Sequence, residues 1–222
     1  MIHIMNNTLQ STPLLDFSRS DPNKGTLFDV RDGQSYPVVK IGKQIWLAEN
    51  FRYLPSLEKG DPYCNSWVYD NDNKYLDKGY GRLYDWNTAM NIAPEGWRLP
   101  SNEDFEELKD FIIKDNKLNE EKNSCIDSRS IGCYLKSVKG WNPYEGIVNN
   151  DKYGFSAKPA GYCGYIDSHE SYVCSFHDEY FWSTTVKREG ASNWGLYDTN
   201  KSFYCINNTK TYGLSVRLVK DI

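Results

Sequence analysis

The stretch Gly96-Trp97-Arg98-Leu99-Pro100-Ser101, running into Asn102-Glu103-Asp104-Phe105-Glu106-Glu107-Leu108, constrains this chain most. Pro100 fixes its own φ and pushes Leu99 towards an extended conformation. Ser101 then stands where a helix N-cap accepts from the free N–H groups of the first turn. Asp104, three residues on, predicts a capping box. Glu103, Asp104, Glu106 and Glu107 load the positive helix end with negative charge, while Lys109 and Lys114 come later. Phe105, Leu108, Phe111 and Ile112 recur at helical spacing, so the pattern predicts a helix over 101–114 with one buried face. Nothing in the stretch is chemically reactive. It specifies a fold, and function has to be sought elsewhere.

The 222 residues include 17 Tyr, 9 Phe and 7 Trp, enough large apolar area for a substantial core. A net charge of −4, with Lys and Arg scattered, excludes the basic field that nonspecific nucleic-acid or anionic-membrane binding requires. No run of about 18 apolar residues marks a membrane-spanning helix, so no membrane insertion is expected. Met1 to Leu15 lacks a basic n-region and is interrupted by Asn6, Asn7, Gln10 and Pro13, so it does not read as a secretion signal. Cysteines stand at 64, 125, 133, 163, 174 and 205, with no Cys-x-x-Cys and no zinc-finger spacing to His3, His169 or His177. Cys125/Cys133 and Cys163/Cys174 would each close a short loop if oxidised; without a signal, reduced thiols are the simpler expectation.

Residues 1–24 are polar and read as an N-terminal arm or tail, followed by a single domain over 25–222. Leu27-Phe28-Asp29-Val30 is a strand leading into a turn at Asp32-Gly33. Residues 36–47 form the next strands, broken at Gly42-Lys43. Residues 54–80, rich in Pro, Gly, Asp and Asn, form a long loop region. A short helix is expected over Tyr84–Met90, and a strand at Leu135–Val138. Strands follow near 155–157, 180–185, 194–197, 202–206 and 214–219, from β-branched and aromatic patterning. The fold class is α+β: one or two helices packed on short, twisted antiparallel sheets.

Seven blocks in order carry a family resemblance: Val39-Lys40-Ile41-Gly42-Lys43-Gln44-Ile45-Trp46-Leu47-Ala48-Glu49-Asn50; Tyr80-Gly81-Arg82-Leu83-Tyr84-Asp85-Trp86; Pro94 to Ser101; Leu135-Lys136-Ser137; Gly154-Phe155-Ser156-Ala157-Lys158-Pro159-Ala160-Gly161; Phe181-Trp182-Ser183-Thr184-Thr185; and Gly213-Leu214-Ser215-Val216-Arg217-Leu218-Val219-Lys220-Asp221. Together they resemble the Fibrobacter succinogenes major paralogous domain family over roughly residues 27 to 221. The Trp-Arg-Leu-Pro-Ser turn and the last strand also look like the wider C-type-lectin-like fold, which includes formylglycine-generating enzymes and the variable proteins of diversity-generating retroelements. The resemblance implies that fold, a ligand-displaying role, and a secreted or cell-surface setting. Val68, Leu76, Ala93 and Leu218 occupy places where the family often has cysteine.

Three constellations are candidates for chemistry. Cys163, His169, Cys174 and His177 could supply a thiolate with a neighbouring base, the basis of an enzyme or metal-dependent alternative. Only Cys205 lies in the C-terminal strands, so the reactive cysteine pair of the formylglycine-generating enzymes is not carried over. Asp70 and Asp72, in Asp70-Asn71-Asp72-Asn73, begin a run of hard oxygen ligands that would suit calcium, although Lys74 and Gly81 break the EF-hand pattern. Asn193, Trp194, Tyr197, Asp198, Asn200, Tyr204, Asn207, Asn208 and Tyr212 form an aromatic and Asn-rich set in the part of lectin-like folds that presents ligand. Rings there would stack on sugar or peptide, and Asn and Asp would supply hydrogen bonds; within the set, Trp194 and Tyr204 are the best core candidates. Arg98 and Arg217 read as structural, paired with carboxylates beneath the loops. The expectation is a non-enzymatic, adhesin-like module recognising a glycan or surface protein, without a required cofactor. A retroelement-diversified receptor-binding protein is the nearest alternative.

Overall fold

The computed structural model describes residues 12–54, 66–118, 131–165, 172–175 and 177–222. The Pro100-Ser101 turn does what its sequence dictates. Ser101 is extended and accepts from Asp104 N–H, while the Asp104 carboxylate accepts from Ser101 N–H at 2.6 Å, closing a capping box. Helix α2 (Asn102–Asp115) follows, with Phe105, Leu108 and Ile112 wholly buried. The shorter helices are α1 (Trp86–Asn91), capped by Asp85, and α3 (Gly132–Leu135).

Thirteen strands complete the described chain: β1 (Leu14–Phe17), β2 (Lys24–Asp29), β3 (Gln34–Ile41), β4 (Gln44–Leu47), β5 (Ser66–Val68), β6 (Arg82–Tyr84), β7 (Tyr162–Tyr165), β8 (Tyr172–Ser175), β9 (Glu179–Lys187), β10 (Gly190–Leu196), β11 (Phe203–Asn208), β12 (Leu214–Ser215) and β13 (Val219–Asp221). They form a five-stranded sheet in the order β1-β2-β3-β4-β13, a six-stranded sheet in the order β11-β10-β9-β12-β6-β5, and the ribbon β7-β8. All pairings are antiparallel except β12 with β9. The last strand joins the first sheet, and Arg98 exchanges backbone hydrogen bonds with Val219 at 3.0 and 2.9 Å. The Trp-Arg-Leu turn is thereby stitched to the C-terminal strand.

Two apolar clusters flank the six-stranded sheet. One packs α2 through Phe105, Leu108 and Ile112 against Trp46, Phe155, Phe181, Trp194 and Phe203. The other gathers Leu27, Tyr36, Val38, Leu47, Phe51, Tyr84, Trp97, Trp182 and Val216. Alternation along β9 and β10 decides which side each residue serves. Gly81 marks a tight crossing: its φ is 63°, and a Cβ there would lie 2.6 Å from the Asn50 backbone oxygen, so only glycine fits.

Several expectations need correction. Within the N-terminal arm or tail, β1 pairs with β2 as an edge strand; residues 1–11 lie outside the described residues. Within the long loop region, β5 pairs with β6. Leu135–Val138 is not a strand. Leu135 ends α3, and Lys136 makes an isolated bridge to Ala157, because the extended segment is too short to build a ladder. Arg98 pairs with Asp104 and Asp221, as its structural reading required.

Burial opposes ionisation of Asp104, but Arg98 and Ser101 N–H outweigh it and hold the carboxyl below its ordinary range. The native value is therefore below the unfolded one. The stabilisation is present above the unfolded value and is lost as pH falls through the native one. Asp104→Asn should cost about 1–2 kcal/mol at pH 7 by chemical denaturation. The gap from the parent protein should narrow as pH falls below the ordinary aspartate range, and a gap that stays constant there would contradict the assignment.

Candidate ligand-binding face

The face rests on a buried polar frame. Glu179, at the start of β9, is wholly buried; its Oε1 accepts from Asn50 Nδ2 at 2.8 Å and its Oε2 from Ala160 N–H at 2.7 Å. Arg217, also wholly buried, donates from Nε to Asn50 Oδ1 at 2.8 Å and from Nη1 to Leu47 O at 2.9 Å. It also reaches the Phe155 and Ser156 carbonyls, with its guanidinium 4.5 Å from the Phe155 ring centroid. Asn50 thus bridges an acid and a base that make no direct ion pair among the described contacts. Burial pushes the Glu179 carboxyl up to about 8 and the Arg217 guanidinium down to about 10, each opposed by the other's charge. Arg217 is structural as expected, although its hydrogen bonds go to carbonyls and Asn50 rather than to a carboxylate. Arg217→Leu leaves Asn50 Oδ1 and the Leu47, Phe155 and Ser156 carbonyls buried without their donor and should cost about 3–5 kcal/mol by chemical denaturation. A loss under about 1 kcal/mol would refute the network's role.

Lys136 carries the frame to the surface. It is buried, yet its Nζ donates to the Tyr197 carbonyl and, at 2.8 Å, to Asn200 O, with the Trp141 ring centroid 4.8 Å away. The loop between β10 and β11 is therefore pinned by one ammonium group. Burial lowers its pKa to about 8. A lysine whose native value lies below the unfolded one penalises the fold while charged, and the penalty is relieved as pH rises above about 8. Stability of the parent protein relative to Lys136→Met should therefore rise between about pH 8 and 10 in thermal melts. A constant difference would show that Lys136 does not titrate in that window.

Above this frame the sheet carries a row of tyrosines. Tyr212 stacks on Tyr162 at 5.8 Å, Tyr162 meets Tyr180 edge-on at 5.8 Å, Tyr180 meets Tyr197 edge-on at 5.7 Å, and Tyr197 stacks on Tyr204 at 5.0 Å with planes 4° apart. Tyr162, Tyr197, Tyr204 and Tyr212 are partly exposed, while Tyr180 is 8% exposed. Register explains the row. Gly195 faces Tyr204 on one side and Tyr180 on the other, and Tyr197 closes over it, 3.0 Å from where a Cβ would stand. Burial, then interaction with Tyr204, holds the Tyr197 phenol above its ordinary range. Hydrogen-bonding groups gather near the Tyr180–Tyr204 end. Asn142 Nδ2 lies 3.1 Å from both His177 Nδ1 and Asp198 Oδ2, and Asp178 accepts from Tyr180 Oη at 3.2 Å.

The predicted residues divide. Tyr197, Asp198, Asn200, Tyr204, Asn208 and Tyr212 are partly exposed and Asn207 is exposed, so they remain available. Trp194 is not available: it is 1% exposed, packs on Phe105 and Phe203, and donates Nε1–H to Asn102 at 3.1 Å. Asn193 is wholly buried between Trp182 and Ile206 in the register, and among the described residues neither its Nδ2 nor its Oδ1 has a partner. Tyr204, a core candidate on sequence grounds, instead belongs to the surface row. Sequence reasoning missed Tyr162 and Tyr180, because only the fold sets β9 alongside β10 and brings the β7 end against the start of β9. It also missed Asn142 and Lys136; the signal for Lys136 was a lone cation inside an apolar block.

The other constellations separate. Cys163 is disulfide-bonded, so it is not a thiolate, and the reduced-thiol expectation fails at this position. Cys174 stands opposite it in the β7–β8 register. Cys133 and Cys205 are free, so the Cys125/Cys133 loop is not closed. His169 lies outside the described residues, and His177 is exposed. Asp72 caps Lys74 N–H at 2.9 Å and pairs with the Lys74 ammonium, while Asp70 is exposed. Among the described residues no three His, Cys, Asp or Glu side chains come together as a metal group.

The molecule is a mixed α+β domain of two curled, mainly antiparallel sheets with few helices. Residues 39–220 match the Fibrobacter succinogenes major domain, and the chain belongs to that family. Comparison with curated proteins and with solved structures gives no significant match. No helix among the described residues is long and apolar enough to cross a membrane.

Proposed function

We propose that this is a non-enzymatic, C-type-lectin-like binding module that recognises a glycan or a surface protein through the tyrosine row. The observation that carries the reading is the continuous chain of ring contacts Tyr212–Tyr162–Tyr180–Tyr197–Tyr204, of which all but Tyr180 are partly exposed. Tyr162, Tyr197 and Tyr212 also pack against the first apolar cluster, and the ring area they leave open suits stacking on a sugar ring or a peptide. Phenol hydroxyls beside Asp198, Asn200, Asn142 and His177 suit hydroxyl-rich or amide-rich partners. The rigid frame below reduces the ordering cost of binding. The free-thiolate route to catalysis is weakened by the bonded state of Cys163. A disulfide also accords with an exported or cell-surface setting.

A glycan and surface-protein array, run with and without calcium, tests the reading. Binding should appear on the array and survive chelation, since Asp72 is already committed to Lys74. Tyr204→Ala and Tyr212→Ala should each weaken it about tenfold or more while thermal stability shifts little. Equal binding by both variants would overturn the reading.

A further inference from the structure

The six-stranded sheet ends on β11. Among the described residues no strand, bridge or backbone hydrogen bond reaches its far side. Every second residue of β11 therefore turns an N–H and a C=O outward. Such a row is a template for another strand, and proteins blunt it with charge, proline, a bulge or short length. The other sheet ends show these guards. β1 carries Asp16, β5 spans three residues, and β13 carries Lys220 and Asp221 and is bridged to Arg98 through Val219. β11 has none of them: Phe203-Tyr204-Cys205-Ile206-Asn207-Asn208 is uncharged, lacks proline and keeps an unbroken register with β10. All of it except Phe203 is partly or fully exposed.

The side chains indicate what the edge fits. Tyr204 belongs to the tyrosine row, and Ile206, two residues on, shares its face and packs on the first apolar cluster. Phe203 and Cys205 take the α2 side. A two-fold axis perpendicular to the sheet sets two copies of β11 antiparallel and continues each face into the same face of the other copy. With the axis at Cys205, each Tyr204 stands opposite Ile206 of the partner copy, an aromatic–β-branched pair made twice. A strand that pairs with itself needs neutrality, since a charge on it would stand near its own copy, and β11 carries no charge.

We propose that β11 is a self-association edge: two copies of this chain join β11 to β11, antiparallel, about a two-fold axis at Cys205. The two six-stranded sheets then become one. The two tyrosine rows meet there, each Tyr204 one diagonal step from its counterpart. The association does not depend on what the row binds.

Sedimentation velocity on the full chain, without any ligand, tests this. Monomer should pass to dimer between about 1 and 100 μM and return to monomer on dilution. Hydrogen exchange at the two ends of that range should show protection gained in β11 and none in β1 or β5. Ile206→Lys sets two ammonium groups one diagonal step apart across the axis and should weaken association about tenfold or more. Asn207→Lys charges an exposed position on the same strand and should also weaken it, with an unchanged melting temperature, even if Ile206→Lys fails to fold. A chain that stays monomeric to about 500 μM would overturn the proposal and leave the edge to a strand of another protein. A dimer whose β11 amides exchange as in the monomer, or one that Asn207→Lys leaves equally strong, would overturn it too.

Discussion

The Arg217–Asn50–Glu179 contact is the constraint on which the rest of the molecule depends. It joins the loop after β4, the start of β9 and the segment between β12 and β13, elements far apart in sequence. Burying an acid and a base is expensive, and hydrogen bonds from Asn50 and Ala160 N–H to Glu179, and from Arg217 to Asn50 and the surrounding carbonyls, are what make it tolerable. Apolar contacts alone could slide. Directional bonds to a fixed guanidinium fix how the two sheets meet.

That frame explains why the candidate face can be both open and ordered. On one side of the six-stranded sheet, Trp194 and Phe181 are locked against α2. On the other, small Gly195 lets Tyr180, Tyr197 and Tyr204 draw together. Lys136 then ties the connecting loop to the interior through two carbonyls. Stability is concentrated below, and the proposed recognition groups are arranged above, much as loops on a rigid scaffold carry function in other folds.

Much of the scaffold was legible in the sequence. The capping box at Ser101 and Asp104 follows from local rules, and so does the buried face of α2. The family blocks also fall where the buried network forms. The site was only partly legible, because alternation names two faces without saying which is inside. Trp194 and Tyr204 look alike in sequence, yet Trp194 points at α2 and Tyr204 at solvent. Tyr162 and Tyr180 enter the row through pairings that no local pattern announces. Asn193 looked like a surface ligand because Asn usually is one; its burial without a partner is visible only in the fold. The redox expectation failed for a related reason: a missing leader pattern says little about one particular sulfur.

The central claim is that recognition lies on the tyrosine row and not on the Trp-Arg-Leu-Pro-Ser corner. Hydrogen exchange of the domain with and without its array-selected ligand tests this most directly. The account predicts protection across β10, β11 and the 209–213 turn, with little change in α2 or residues 96–101. Protection confined to α2 and residues 96–101, with β10 and β11 unchanged, would contradict it.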